Sequence, residues 1–162
     1  MPYEMKVDGM VEISELLEEL DSKAPAVAAQ ALYEGAAVMR NGLQKQAETI
    51  RTAPFKYAKG GETRLPSPEE KEIVIQAGIG VAKFDKNGTE VNTSVGYSNA
   101  GYAELDGKTR PIPVIVNSIN SGTSFMKKQP FIRKGANTNA QKAMTAMSEK
   151  IENALNEIIN KK

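Results

Sequence analysis

Apolar residues recur at helical spacing near both ends of the chain and alternate in its middle, and this change of period divides it into segments. Ile13, Leu16, Leu17 and Leu20 stand among Glu15, Glu18 and Glu19, the pattern of a short amphipathic helix over 12–21 that follows an expected flexible arm at 1–11. Asp-Ser-Lys-Ala-Pro at 21–25 predicts an interruption, with Pro25 suited to the first turn of a new helix. From 25 to 50, Ala28, Leu32, Ala36, Met39, Leu43 and Ile50 fall on one helical face, with Val27, Ala31, Gly35, Val38 and Gly42 beside it. Each helix-interior glycine costs roughly 1 kcal/mol relative to alanine. Gly35 and Gly42 therefore imply a strand, a helix or a neighbouring subunit packed very closely there.

Residues 52–71 carry three prolines and a Gly-Gly pair with no sustained period, which predicts a long loop. Residues 72–84 alternate, with Ile73, Ile75, Ala77, Ile79 and Val81 on one side, the pattern of a strand. Asp85-Lys86-Asn87-Gly88 predicts a hairpin turn into a partner strand at 89–97. A turn-rich connection is expected at 98–110, then a third strand at 111–117 that Pro111 and Pro113 make start at a sheet edge or irregularly. The last helix is expected to begin at Ala136 or Asn137, with Ala140, Met144, Met147, Ile151, Leu155 and Ile158 as its apolar stripe and both methionines as core filler. The order helix, helix, hairpin, strand, helix gives an α+β fold, a small antiparallel β-sheet packed against a long N-terminal helix and a C-terminal helix, within one domain at 1–162.

Between the third strand and the last helix lies SGTSFMKKQPFIRKGA, residues 121–136, with Lys127, Lys128, Arg133 and Lys134 and no acid. The whole chain balances at +1 over 162 residues, which by itself gives no reason to infer a nucleic-acid partner. The distribution is uneven. Residues 1–21 hold seven acids and one base, whereas 51–64 hold four bases and one acid, so complementary contacts are expected within one chain or between copies. Lys56, Lys59 and Arg64 beside Phe55 and Tyr57 resemble a stacking-and-phosphate surface, or a solvated loop.

The chain has no cysteine and no histidine, which removes disulfides, thiolate chemistry, the Ser-His-Asp triad, HExxH and histidine-metal catalysis. No paired-carboxylate motif stands out, and no cofactor or metal is expected. Gly78-Ile79-Gly80 lacks the third glycine and the following helix of a phosphate loop. No basic-then-apolar leader and no apolar run of about 20 residues occurs, so a soluble, cytoplasmic protein without a membrane partner is expected.

Taken together, Ala53-Pro54, Gly122-Thr123, Pro130-Phe131-Ile132-Arg133 and the final amphipathic helix resemble, in order and spacing over roughly residues 11–160, the tail-completion or head-tail joining family of long-tailed bacteriophages. The chain departs from that pattern in two places. Gly60-Gly61-Glu62-Thr63-Arg64-Leu65 stands where the family has Thr-Gly and then Leu-Arg, and Ile119-Asn120-Ser121 stands where an acidic-aromatic pair precedes Gly-Thr.

The resemblance implies a non-enzymatic structural protein that forms a ring, such as a hexamer, in the virion neck. DNA would pass through its lumen without sequence-specific binding, and neighbouring neck or tail proteins would be its partners. It further implies a location in the cytoplasm of an infected or lysogenic bacterium and then in the virion. Phe131 is expected to fill an apolar pocket that positions the last helix. Glu15, Glu18, Glu19, Lys127, Lys128 and Lys134 are candidate subunit contacts. The alternative is a small nucleic-acid-binding module that uses the basic loops 51–64 and 127–134.

Overall fold

The computed structural model describes residues 10–83, 85–87, 90–98 and 100–161. The expected arm at 1–11 lies outside them except for Met10 and Val11, which begin helix α1, Met10–Glu48. The expected interruption at 21–25 is absent, because α1 runs through Pro25. A proline there removes one backbone hydrogen bond. Asp21, whose carbonyl loses its donor, is exposed to water, and Ala24, Ala26, Ala28 and Ala29 favour helix on both sides.

Further along the chain, two expected strands give way to helix and the last helix starts early. Of the described residues in 72–84, expected as one strand, only Gly80–Val81 is strand: Pro68–Gln76 is helix α2, and the long loop therefore ends at Ser67. Ser67 accepts from the Glu70 N–H while the Glu70 carboxylate accepts from the Ser67 N–H, a capping box with Pro68 in the first turn. That start signal decides a short apolar run that periodicity alone leaves open. Residues 111–117 are likewise not an edge strand. Helix α3, Ile112–Ser121, buries Ile112, Ile115, Val116 and Ile119, a helical i, i+3, i+4, i+7 set that outweighs the β-branched composition. Helix α4 is Phe131–Asn160, so it starts at Phe131, five residues before Ala136.

Among the described residues the β-strands form three two-stranded antiparallel ladders. Strand β1, Gly80–Val81, pairs with β4, Val95–Gly96. Strand β2, Asp85–Asn87, pairs with β3, Glu90–Asn92, which places a hairpin where Asn-Gly predicts one. Its connecting residues 88 and 89 lie outside the described set. In the expected connection at 98–110, β5, Tyr102–Leu105, turns back into β6, Lys108–Pro111. The two turn residues Asp106 and Gly107 have φ of 53° and 70°, the left-handed pair that matches strand twist in a two-residue hairpin. The fold is thus α+β, with small antiparallel elements against two long helices.

Helices α1 and α4 run antiparallel: Gly35 meets Met147, Gly42 meets Asn139 and Gly135 meets Leu43. A methyl at Gly35 would stand 2.7 Å from Met147 Cγ, and one at Gly135 would stand 2.8 Å from Leu43 Cδ2. The wide small-residue face of α1 therefore serves α4.

On α4 the buried positions are Phe131, Gly135, Ala143 and Ile158. The expected stripe is mostly on the outside, with Met144 57%, Ile151 40% and Leu155 38% exposed. Small residues let the backbones approach, and the larger ones are left facing solvent. Met144 is therefore not core filler, whereas Met147 packs over Gly35.

The main core gathers Leu43, Ala47, Val74, Ile115, Ile119 and Phe131. Among its buried described residues none precedes Leu43 on α1 and none follows Phe131 on α4. Beyond this core the two helices continue as a paired arm, in which Ala31 and Ile158 are buried while Leu17 and Ile159 are 59% and 52% exposed.

Candidate functional site

The loop at 51–67 and the stretch at 121–136 are held together at two points. Arg64 donates its backbone N–H to the Phe125 carbonyl at 2.8 Å and accepts from the Lys127 N–H at 2.8 Å, which makes a parallel bridge to Met126. The Gln129 side chain accepts from the Arg51 N–H and donates to the Arg51 carbonyl, each at 2.9 Å. Ala53 donates to the Pro66 carbonyl at 3.0 Å and closes the loop on itself, with Pro54 beside it exposed.

Gly122 ends α3 at φ 77°, and an added Cβ would sit 3.0 Å from Lys128 Cβ and 3.1 Å from Lys128 Cα. Only glycine takes that φ without strain, so the chain reverses there as closely as it does. Thr123 follows, its Oγ1 accepting from the Met126 N–H at 3.0 Å and the Phe125 N–H at 3.3 Å, a local turn that presents Phe125 outward at 50% exposure. Pro130 leads into α4, and Asn120 Oδ1 accepts from the Ile132 N–H at 3.1 Å in its first turn. Phe131 is 3% exposed and meets Tyr97 edge-to-face at 6.3 Å, so it anchors the helix start.

Arg64 is not an available loop cation. Its Nη1 and Nη2 each donate to a Glu70 carboxylate oxygen at 2.7 Å, with the two side chains 14% and 6% exposed, and it lies 4.9 Å from the Phe55 ring centroid. Burial pushes the Glu70 carboxyl upward. The Arg64 hydrogen bonds and the Ser67 N–H outweigh that and hold it below the ordinary carboxylate range. The same pair raises Arg64. Glu70 and Ser67 escaped the sequence reading, although Ser67-Pro68-Glu69-Glu70 carries their signal.

The remaining basic side chains, Lys56, Lys59, Lys127, Lys128, Arg133 and Lys134, are exposed and make no ion pair among the described residues. Arg51, Lys128 and Lys134 border a cleft of about 200 Å³ beside Pro130. Three exposed rings share this end of the molecule: Phe55 at 43%, Tyr57 at 84% and Phe125. Phe55 and Tyr57 meet edge-to-face at 5.0 Å.

Glu15 and Glu18 are exposed at the opposite end of α1, where Glu19 pairs with Lys23. Glu18 precedes the end of α1 at Glu48 by thirty residues, about 45 Å of helix. The structure therefore separates the acidic and basic candidates within one chain. Gly78, at φ 69°, belongs to the turn after α2 rather than to a strand interior. Among the described residues no cluster of acidic side chains is placed to hold a metal, and no helix is long and apolar enough to cross a membrane.

Comparison with family models, curated proteins and solved structures gives no match to this chain.

Proposed function

We propose that the chain is a non-enzymatic structural subunit of a long-tailed bacteriophage, a tail-completion or head-tail joining component that repeats as a ring around the DNA channel of the virion neck. The carrying observation is the α1–α4 arm, which leaves Leu17, Ile151, Leu155 and Ile159 between 38% and 59% exposed on one chain. Isolated exposed apolar residues are ordinary, but a set recurring along a paired-helix arm asks for a covering surface. The residues that carry the family resemblance support this reading in a second way. Gly122, Thr123, Pro130 and Phe131 shape and anchor the stretch between α3 and α4, as expected of an architectural motif rather than a reactive one.

The subunit is made in the cytoplasm of an infected or lysogenic bacterium and then enters the virion, where neighbouring neck or tail proteins contact it. Peptide mass spectrometry and electron microscopy of purified particles test this. The chain is expected in particles at a fixed copy number and as a ring-shaped density. A chain absent from particles and monomeric at every concentration would defeat the reading.

The rings of Phe55, Tyr57 and Phe125 beside Lys56, Lys59 and Lys127 favour a second reading, a small nucleic-acid-binding module. It predicts binding to generic DNA that weakens steeply with salt, so labelled DNA whose tumbling is unchanged at low salt removes it.

A further inference from the structure

We infer that the two ends of the molecule recognise each other between copies, the acidic, leucine-bearing arm of one subunit docking on the basic, ring-bearing loop junction of the next; this rests on the assembly reading above. Residues 10–30 and 148–161, which form the arm, hold eight acids and three bases, whereas residues 51–64 and 121–134 at the junction hold one acid and, apart from the Glu70-paired Arg64, seven bases. Arms of that sign repel one another, which disfavours a symmetric arm-to-arm bundle and selects a partner surface of opposite charge. Each surface also offers apolar area. Leu17, Ile151 and Leu155 project from the arm, and Phe55, Tyr57 and Phe125 from the junction.

The junction is built to present those groups. Arg64 is tied to Met126 through the backbone and to Glu70 through its side chain, and Gln129 clamps Arg51, so the two basic segments form one surface. The length of α1 keeps a chain's own arm away from its own junction. A contact between two different surfaces repeats head to tail and generates a ring when its rotation closes.

Carbodiimide coupling of a mixture of ¹⁵N-labelled and unlabelled chains, read by mass spectrometry, tests the contact. It joins carboxylates to amines in direct contact, and peptides of mixed label arise only between copies. Mixed-label links are expected from the peptide containing Glu18 and Asp21 to peptides containing Lys127 or Lys128, or Lys56 or Lys59. The double substitution Glu18→Lys with Asp21→Lys, at exposed arm positions, should lower the yield about tenfold. Lys127→Glu with Lys128→Glu should do the same, and mixing the two variants should restore it.

Self-association whose mixed-label links fall elsewhere, or survive both charge reversals, overturns the contact and leaves the assembly reading standing. No mixed-label links, together with absence from particles, overturns both. DNA binding that is lost in Lys127→Glu/Lys128→Glu while self-association is unchanged assigns the junction to nucleic acid and overturns the contact.

Discussion

The Gln129 side chain brackets the Arg51 peptide, accepting from its N–H and donating to its carbonyl at 2.9 Å each, across 78 residues of sequence. Its own N–H donates to the Ile119 carbonyl at 2.8 Å. One glutamine thus joins the end of α1, the end of α3 and the approach to α4. Gln129→Ala should cost about 1–2 kcal/mol, since both lost bonds are side chain to backbone and the freed groups regain water. Urea unfolding checks this through a lower midpoint at unchanged slope.

Arg64 and Glu70 predict an acid-sensitive fold. The Glu70 carboxyl is held below its ordinary value in the folded chain. The stability it contributes is therefore fully present above the unfolded-state value of about 4.3 and is lost as pH falls through the folded value. Glu70→Gln should flatten the fall in melting temperature expected of the unaltered chain below about pH 4.3. Glu70→Ala strands a mostly buried guanidinium and removes half of the capping box, so it should cost about 3 kcal/mol at neutral pH. A cost below about 1 kcal/mol would assign the pair to the weak exposed class.

Tyr97 and Phe131 are neighbours with opposite expected responses. Phe131→Ala empties a site that is 3% exposed and should cost about 3–5 kcal/mol in denaturant unfolding. The Tyr97 hydroxyl is buried with no hydrogen-bond partner among the described residues. Tyr97→Phe should accordingly be neutral or stabilising by up to about 1 kcal/mol. Burial pushes the Tyr97 phenol up to about 12. Its stability contribution is complete below the unfolded value of about 10 and is lost as pH rises through the folded one. The Tyr97→Phe variant should lose this part of the alkaline fall, and absorbance at alkaline pH should show one fewer late-titrating tyrosine.

The parts of the fold legible in the sequence were those whose period repeats over many residues or whose turn chemistry is specific. The small-residue face of α1 and the Asn87-Gly88 hairpin are of this kind. Short apolar runs are ambiguous: α2 is decided by a feature before its run, the Ser67–Glu70 capping box, and α3 by the prolines at its start and the Ile112, Ile115, Val116, Ile119 spacing, which extends beyond the run. Pro25 shows alanine propensity, with a solvated carbonyl at Asp21, overriding a local breaker. At the candidate site, Gly122 and Thr123 form a turn as the sequence suggests, whereas Pro130 and Phe131, expected in the connection before the last helix, cap and begin α4. The pairing of Arg64 with Glu70 and of Gln129 with Arg51 was invisible, because long-range side-chain partners leave no periodic trace.

Gly35 and Gly42 both face α4, yet they should respond differently to the same added methyl. At Gly35 the methyl meets the side chain of Met147, an unbranched and adaptable neighbour. The roughly 1 kcal/mol gained by replacing a helix glycine with alanine offsets the adjustment. Gly35→Ala should therefore lie within about 1 kcal/mol of the unaltered chain. At Gly42 the methyl overlaps the Asn139 amide, which is fixed by donation to the Gly135 carbonyl at 2.8 Å. Gly135 itself is packed against Leu43, so a retreat of α4 would open that contact. Gly42→Ala should cost about 1–3 kcal/mol. Asn139→Ala alone removes one side-chain bond and should cost less than about 1 kcal/mol. In the double variant the new methyl occupies the space the amide leaves, so most of the Gly42→Ala loss should be recovered, with a coupling above about 1 kcal/mol. Additive losses in the double variant would mean that the Gly42 methyl is resisted by the α4 backbone rather than by Asn139.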